Sequence, residues 1–349
     1  MLVKNIKLNN FRNYSKGEFD LDPNLNIIIG KNGTGKTNIL ESLIFISNTK
    51  SFRTLDDQDL IKKDEEFARV ICKSDTDEFK TVINKNGKRL FINNVPVKRT
   101  SEFIGRLNCV LFKPSDLELF DQSPKERRRI LDLEIGKVSR SYLTAILKYN
   151  LLLKDKNKLL KEEKVDDTYL SLIEEQMVPE IETIIREREE FIETTNLYIN
   201  DLYKGISGKD GEIEIIYKKC CEIPDIVQMI RKNKDKDLYY HYAGFGPHHD
   251  DYHFMMNGYE LTTVASQGQK RMVLISFKLA LMRYIQQKSG KIPILLLDDI
   301  LSELDVENRD RLLEIIPKDT QVIITGTDLL GMDLKNNYNL IELKEEEDV

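Results

Sequence analysis

Eight consecutive residues, Gly30-Lys31-Asn32-Gly33-Thr34-Gly35-Lys36-Thr37, fit the spacing G-x-x-x-x-G-K-[ST]. The chemistry of that spacing is phosphate binding. Its glycines let successive backbone N–H groups turn toward phosphate oxygens. A helix beginning near Gly35 adds its positive end. Lys36 reaches β and γ phosphates, and Thr37 offers a hydroxyl to Mg²⁺. Asn38, directly behind the loop, is counted with it. A second cluster lies far downstream, where the apolar run Ile294-Leu295-Leu296-Leu297 ends in Asp298-Asp299. An apolar strand ending in a carboxylate is the Walker-B arrangement: Asp298 suits the metal, and Asp299 stands where a general base or water-orienting group is needed. Read alone, the pair could equally cap a helix; the phosphate loop favours the nucleotide reading. A third element, Ser266-Gln267-Gly268-Gln269-Lys270-Arg271, opens a helix about 30 residues before that strand, and Ser302-Glu303-Leu304-Asp305 follows it.

These groups need elements to position them. Leu25 to Ile29 reads as a strand running straight into the glycine loop. Lys36 to Ile46 reads as a helix, with Ile39, Leu40, Leu43, Ile44 and Phe45 at helical spacing. Residues 2–9 alternate as a strand, 67–112 are strand-rich, and Lys85-Asn86-Gly87-Lys88 suits a hairpin turn. Ile292 to Leu297 and Gln321 to Thr325 are apolar runs of the kind buried on both faces of a parallel sheet. From about 124 the pattern is helical. Tyr142, Ile146, Tyr149, Leu153 and Leu160 mark one stretch. Leu170, Ile173, Met177, Ile181, Ile184, Ile192, Ile199 and Leu202 mark another, with Arg188 and Thr195 as polar interruptions. A polar break, Glu162 to Asp167, separates them, with Thr168 as candidate cap. The pattern predicts an antiparallel, coiled-coil-like helical hairpin whose first arm is roughly 35 Å long, with a kink at Pro179.

Taken together, the Ser266 element and residues 302–305 resemble the signature motif and D-loop of the ABC ATPases. That resemblance implies that Ser266 and Gly268 of one subunit complete the phosphate site of another. Lys36 and Asp298 are 262 residues apart. An α/β, ABC-ATPase-type head must therefore be assembled from N- and C-terminal parts around an inserted helical hairpin, an arrangement similar to the SMC-like DNA-repair ATPases. The expected division is 1–122 for the N-terminal part of the head, 123–238 for the helical arm and 239–349 for the C-terminal part.

Within that group the chain resembles the RecF family. The carriers are Leu8-Asn9-Asn10-Phe11-Arg12-Asn13-Tyr14, Phe112-Lys113-Pro114-Ser115-Asp116-Leu117, Ser123-Pro124-Lys125-Glu126-Arg127-Arg128-Arg129 and Gly246-Pro247-His248-His249-Asp250-Asp251. His249 departs from the family pattern, which has Arg there. The resemblance covers essentially the whole chain. It implies ATP and Mg²⁺ as cofactors, slow ATP hydrolysis, an ATP-dependent homodimer, and binding to duplex DNA or a single-strand/duplex junction. It also implies partnership with the recombination mediator RecR in loading recombinase at gaps, during recombinational repair, replication restart and the SOS response. Arg12 becomes a candidate contact near the nucleotide or dimer face. Three rivals are an ABC transporter subunit, a long-armed SMC-like tether and a metabolic P-loop kinase. The split head, the short hairpin without a C-x-x-C apex, and the signature with its D-loop count against them in turn.

Composition narrows the setting. The 349 residues carry a net charge of −6, which argues against a protein that coats DNA everywhere and leaves room for one basic face. Residues 125–161 hold eleven basic side chains against four acidic ones; such a run is more often a solvated helix face than a nucleic-acid site. The acidic tail, Glu345 to Asp348, reads as a frayed end. Cys72, Cys109, Cys220 and Cys221 form no C-x-x-C pair, and no run approaches the roughly 18 apolar residues of a membrane span. A reduced, cytoplasmic protein without structural zinc or membrane contact is expected. His241, His248, His249 and His253 cluster beside Asp250 and Asp251; structural hydrogen bonding or proximity to the nucleotide is the preferred reading over a metal site. Thr325-Gly326-Thr327-Asp328 offers hydroxyls where an ABC ATPase usually has its switch His, which fits slow hydrolysis.

Overall fold

The chain opens with β1 (Val3–Phe11), β2 (Tyr14–Asp20) and β3 (Leu25–Ile29), then α1 (Lys36–Asn48). Next come β4 (Phe67–Ser74), β5 (Glu78–Asn84), β6 (Gly87–Ile92), β7 (Val95–Pro96), α2 (Thr100–Phe103) and β8 (Cys109–Phe112). A long middle stretch holds α3 (Pro124–Val138), α4 (Arg140–Leu159), α5 (Asp167–Ser207), β9 (Ile213–Lys218), α6 (Ile226–Tyr240), β10 (Asp251–Met256), β11 (Tyr259–Glu260), α7 (Leu261–Val264) and α8 (Gln267–Ser289). The chain closes with β12 (Ile294–Asp298), α9 (Val306–Ile315), β13 (Val322–Gly326) and β14 (Tyr338–Glu342). This computed structural model describes residues 1–329 and 338–344; the acidic tail at 345–348 lies outside them.

Two compact units result. The first comprises Met1–Asp116, Asp201–Lys209 and Leu274–Val349; the second comprises Leu117–Asn200 and Asp210–Val273. In the first, five parallel strands stand in the order β14-β3-β13-β12-β8. Strands from opposite ends of the sequence are direct neighbours: Ile27 of β3 pairs with Ile324 of β13, and Leu111 of β8 with Leu296 of β12. The head is therefore built from N- and C-terminal parts, and the Gln321 side chain reinforces the join by bonding both Val3 N (2.8 Å) and Val3 O (2.7 Å). A six-stranded antiparallel sheet, β2-β1-β4-β5-β6-β7, forms the other layer. α1 lies within the apolar core that both sheets share, with Ile39, Leu43 and Phe45 packed among Leu8, Val70, Ile28 and Ile323. Almost all of α1 is buried, polar Glu41, Ser42 and Asn48 included. A helix enclosed on every side is held by its neighbours rather than by an amphipathic stripe.

The second unit contains the helical hairpin. As α4 ascends through Ser141, Lys148 and Lys156, their partners on α5 descend through Glu187, Glu180 and Glu174, so the two helices are antiparallel. Asp166, not Thr168, caps α5: its carboxylate accepts from the backbone N–H groups of Thr168 (2.9 Å) and Tyr169 (3.1 Å), the usual N-cap geometry for a short acidic side chain. α5 runs as one helix through Pro179. Arg188, a polar break in the apolar pattern, is 1% exposed. It binds Asp250 (2.7 Å), Asp132 (2.8 Å), Tyr142 Oη (2.9 Å) and Pro247 O (2.9 Å), and so ties α3, α4, α5 and the Gly246–Asp251 segment together. Strand pairing explains why residues 251–256 fall with this unit rather than with the C-terminal part of the head: β10 is hydrogen-bonded along its length to β9, Asp251 opposite Lys218 and Met256 opposite Ile213.

Candidate nucleotide site

The site is assembled at the carboxyl ends of the parallel strands of the first unit, the edge at which open α/β sheets bind ligands. β3 delivers the glycine loop. Gly33 and Gly35 take φ of 89° and 98°, backbone that disfavours any side chain. At Gly35 a Cβ would also lie 2.8 Å from Tyr14 Oη and 2.9 Å from the Asn13 amide, so the Asn13-Tyr14 turn presses against the loop. Lys36 is 4% exposed, and its ammonium donates to the carbonyls of Gly30 (2.6 Å) and Lys31 (3.0 Å). The loop therefore curls around its own cation, which gives the concavity a positive centre.

The Walker-B strand brings the carboxylates. Asp298 ends β12, two strands away from β3. Its Oδ1 accepts from Thr37 Oγ1 at 3.0 Å and from Thr325 Oγ1 at 2.8 Å. Thr325 lies on β13 between those strands, directly opposite Asp298 in register. Its hydroxyl also accepts from the backbone N–H of Asp299 (3.0 Å). Asp299 holds a left-handed backbone, φ 53°, uncommon for a residue with a side chain though tolerated best by Asp and Asn. Burial pushes the Asp298 carboxyl above its ordinary range, while the Thr325 and Thr37 hydroxyls pull it back. The residues fit a nucleotide with its metal: a lysine held by the loop's own carbonyls, and a hydroxyl and carboxylate 3.0 Å apart that could share one Mg²⁺.

Thr325 was legible in the sequence only as a hydroxyl at the switch position; its grip on both aspartates comes from strand register. Arg53 carried no sequence signal at all. Its guanidinium bonds Asn38 Oδ1 at 2.8 Å, and its charge lowers the Asp298 carboxyl. Asn38 in turn donates to Asn13 at 2.6 Å. Arg12 is committed differently. It forms a two-point pair with Glu41, at 2.8 and 2.6 Å, and donates to Asp59 O at 2.8 Å. Glu41 is fully buried within α1, so Arg12 supplies the counter-charge that lets a carboxylate sit there.

The phosphate loop, Asp298, Asp299 and Arg12 fall in the first unit; Ser266 and Gly268 fall in the second. There Ser266 caps α8 reciprocally: its Oγ accepts from Gln269 N (3.3 Å), and its own N–H donates to Gln269 Oε1 (2.9 Å). This capping box holds the helix start, and Gly268, exposed, leaves it open. Downstream, Ser302 donates to Asp299 O and Asp305 caps α9. Two of the three consecutive arginines are already engaged. Arg127 pairs with Asp251 and Arg128 with Asp250 O, and of the three arginines Arg129 alone is exposed, beside Glu126. No cluster able to hold a metal through His, Cys, Asp or Glu occurs among the described residues. His248 instead bonds Tyr149 Oη (2.5 Å) and Ala243 O (3.1 Å), and His241 bonds Leu160 O (2.8 Å).

A phosphate loop and paired aspartates on a head built from both ends of the chain, with a helical insert, define an ATPase head of the SMC and ABC type. Residues 2–345 match the family RecF/RecN/SMC N terminal domain. The chain belongs to the RecF family of DNA replication and repair proteins. It is 34% identical to the DNA replication and repair protein RecF of Bacillus velezensis, over 95% of each chain, and 33% identical to that of Staphylococcus haemolyticus, over 99% of each. Among solved structures, the recombination mediator protein RecF-ATP in the RecFOR pathway matches with a TM-score of 0.87 at 30% identity, covering 95% of this chain and 93% of that one. An Smc head bound to the C-winged helix domain of ScpA, at 16% identity and a TM-score of 0.55 over 95% of this chain and 91% of that one, shares the fold. No described helix is long and apolar enough to cross a membrane.

Proposed function

We propose that this chain is a recombination mediator that binds ATP with Mg²⁺ and acts as an ATP-switched DNA clamp of the cytoplasm, acting with RecR at gapped DNA. The observation that carries the reading is the convergence on Asp298, at the end of β12, of two hydroxyls, Thr37 from the start of α1 and Thr325 from neighbouring β13. ATP supplies a transferable γ-phosphoryl group, and Mg²⁺ neutralises its charge. Lys36 and the loop amides bind the phosphates; Thr37 and Asp298 hold the metal. Asp299, fixed through Thr325, would orient the attacking water and take its proton as the water oxygen bonds the γ-phosphorus and the bond to the β-phosphate oxygen breaks, releasing ADP and phosphate. Ser266 and Gly268 present the start of α8 to the loop of a second copy, so that two chains share each nucleotide and the γ-phosphate favours the dimer. Hydrolysis is slow, because the switch position carries hydroxyls and no imidazole.

Lys36→Ala tests the foundation. Nucleotide affinity should fall by at least tenfold in a titration with a fluorescent ATP analogue while far-ultraviolet circular dichroism stays native. Undiminished affinity would remove the phosphate-loop assignment.

A further inference from the structure

Three tyrosines lie within four residues, Tyr239, Tyr240 and Tyr242, at the end of α6 and in the turn after it. They are 76%, 59% and 50% exposed, high values for side chains that carry so much apolar area. Their rings adjoin. The centroids of Tyr239 and Tyr240 are 5.0 Å apart with the rings edge to face, and those of Tyr240 and Tyr242 are 6.1 Å apart with the rings tilted by 42°, so the three form one exposed cluster of rings. The backbone beneath is fixed. His241 ends α6 in the left-handed region, φ 59°, and its Nδ1 bonds Leu160 O (2.8 Å). Ala243 N donates to Asn157 Oδ1 (2.7 Å) and Gly244 N to Asp237 Oδ1 (2.8 Å). Asp237 is itself buried and paired with Lys156 at 2.8 Å. The turn is thus clamped to the last turns of α4.

Those same turns of α4 carry a shallow groove lined by Asn150, Leu153, Lys154, Asn157, Lys158 and Lys161. Three lysines and no carboxylate line it, and Asn157 is both a groove residue and the anchor of the tyrosine turn. A cationic groove beside exposed rings matches the two needs of an unpaired strand, whose phosphates seek positive charge and whose bases offer flat π-faces. A duplex keeps those faces stacked within itself. An acidic peptide would pair the lysines and leave three rings without a flat partner.

We propose that Tyr239, Tyr240 and Tyr242, with Lys154, Lys158 and Lys161, form a stacking site for single-stranded nucleic acid. The proposal rests on the DNA-binding reading above and gives it a location outside the nucleotide site. Bases stack on the tyrosines while the backbone follows the lysine groove.

The test is fluorescence anisotropy of the full chain with ATP, using a labelled thymidine oligomer, an abasic oligomer of equal length and a duplex. Replacing all three tyrosines by Ala should weaken binding to the thymidine oligomer at least about fivefold for each base that stacks, whereas Phe at the same positions should preserve it. The abasic strand should bind the wild type weakly and be indifferent to the Ala changes. Lys154→Ala, Lys158→Ala and Lys161→Ala together should reduce the slope of log affinity against log salt by about 2, as expected for three phosphates of a single strand. Unchanged melting curves establish that the variants are folded. Thymidine binding that survives the Ala changes overturns the inference, and so does equally tight binding of the abasic strand. Loss of RecR binding with intact strand binding would assign the tyrosines to a protein and overturn it as well. If the wild type binds neither duplex nor single strand, the broader DNA reading fails; if it binds duplex and only the tyrosine effect is missing, this site alone fails.

Discussion

Thr325→Val replaces a buried hydroxyl with a methyl of nearly the same size and leaves the surrounding packing in place. It removes two hydrogen bonds, one to the Asp298 carboxylate at 2.8 Å and one from the Asp299 N–H at 3.0 Å. A hydrogen bond to a charged group contributes about 1.5–3 kcal/mol and a neutral one about 0.5–1.5 kcal/mol, so the expected loss of stability is roughly 2–4 kcal/mol. Thr325→Ser is the control: it keeps the hydroxyl and loses one buried methyl, about 1 kcal/mol. Thr325→Val also frees Asp299 from the contact to its backbone N–H, so under the proposed mechanism the attacking water would be less well oriented. Urea denaturation gives the stability difference through the midpoint at constant slope, and single-turnover ATP hydrolysis gives the catalytic one. Val should be less stable than Ser and at least tenfold slower, while Ser stays near wild type in rate. Val matching Ser in both measurements would refute the claim that Thr325 positions the two aspartates.

Three further outcomes follow from other contacts. Arg188→Met should destabilise the helical unit by about 3–5 kcal/mol, because it strands the Asp250 and Asp132 carboxylates that Arg188 now pairs; limited proteolysis and thermal melting would register it. His248 is held neutral, chiefly by burial, with its pKa lowered to about 4. The unfolded chain therefore binds a proton near pH 6.5 that the folded one refuses, and stability present above that pH is lost as the solution is acidified toward pH 4. Between pH 6.5 and 5 the loss should be about 1.6 kcal/mol, and His248→Asn should flatten that part of the urea-midpoint profile. Ser266→Arg should leave monomeric ATP binding intact and abolish ATP-dependent dimerisation in light scattering; a variant that dimerises with ATP as the wild type does would contradict sharing of the nucleotide.

Much of the head was legible because its signals are local. The loop glycines, the apolar strand before Asp298 and the helical spacing of Ile39 to Phe45 each declare an element within about a dozen residues. What stayed hidden depends on pairing between distant segments. β2 has little apolar character, with polar Ser15, Lys16 and Glu18 in its seven residues, and forms because β1 offers it an edge. Thr325 acquires its role only when β13 is inserted between β3 and β12. Arg188 and Thr195 read as flaws in an apolar stripe. The first proves to be the centre of a charge network, and the second turns its hydroxyl back onto Phe191 O at 2.8 Å. The arginine run at 127–129 likewise suggests an open basic face until Asp250 and Asp251 arrive from more than a hundred residues away.

Two buried aspartates differ in how their charge is compensated. Burial raises the carboxyl of both Asp250 and Asp298. A raised carboxyl favours the fold when protonated, and that contribution is lost as pH rises through the folded value, so at neutral pH each ionised group costs stability unless a counter-charge offsets it. Asp250 has its counter-charge from the chain itself: Arg188 at 2.7 Å, with further donation from Tyr217 Oη and the Cys220 N–H. Asp298 accepts hydrogen bonds from the hydroxyls of Thr37 and Thr325 and feels the Arg53 charge from a distance, but among the described residues no side-chain cation forms an ion pair with it. Removing the charge at Asp250 therefore dismantles a completed network, whereas at Asp298 the carboxylate gains most from a cation brought by a ligand. A residue that costs the empty fold stability and returns it on binding would link metal affinity to folding directly, and that is the behaviour the proposed metal role of Asp298 requires, whereas the charge of Asp250 is compensated within the fold.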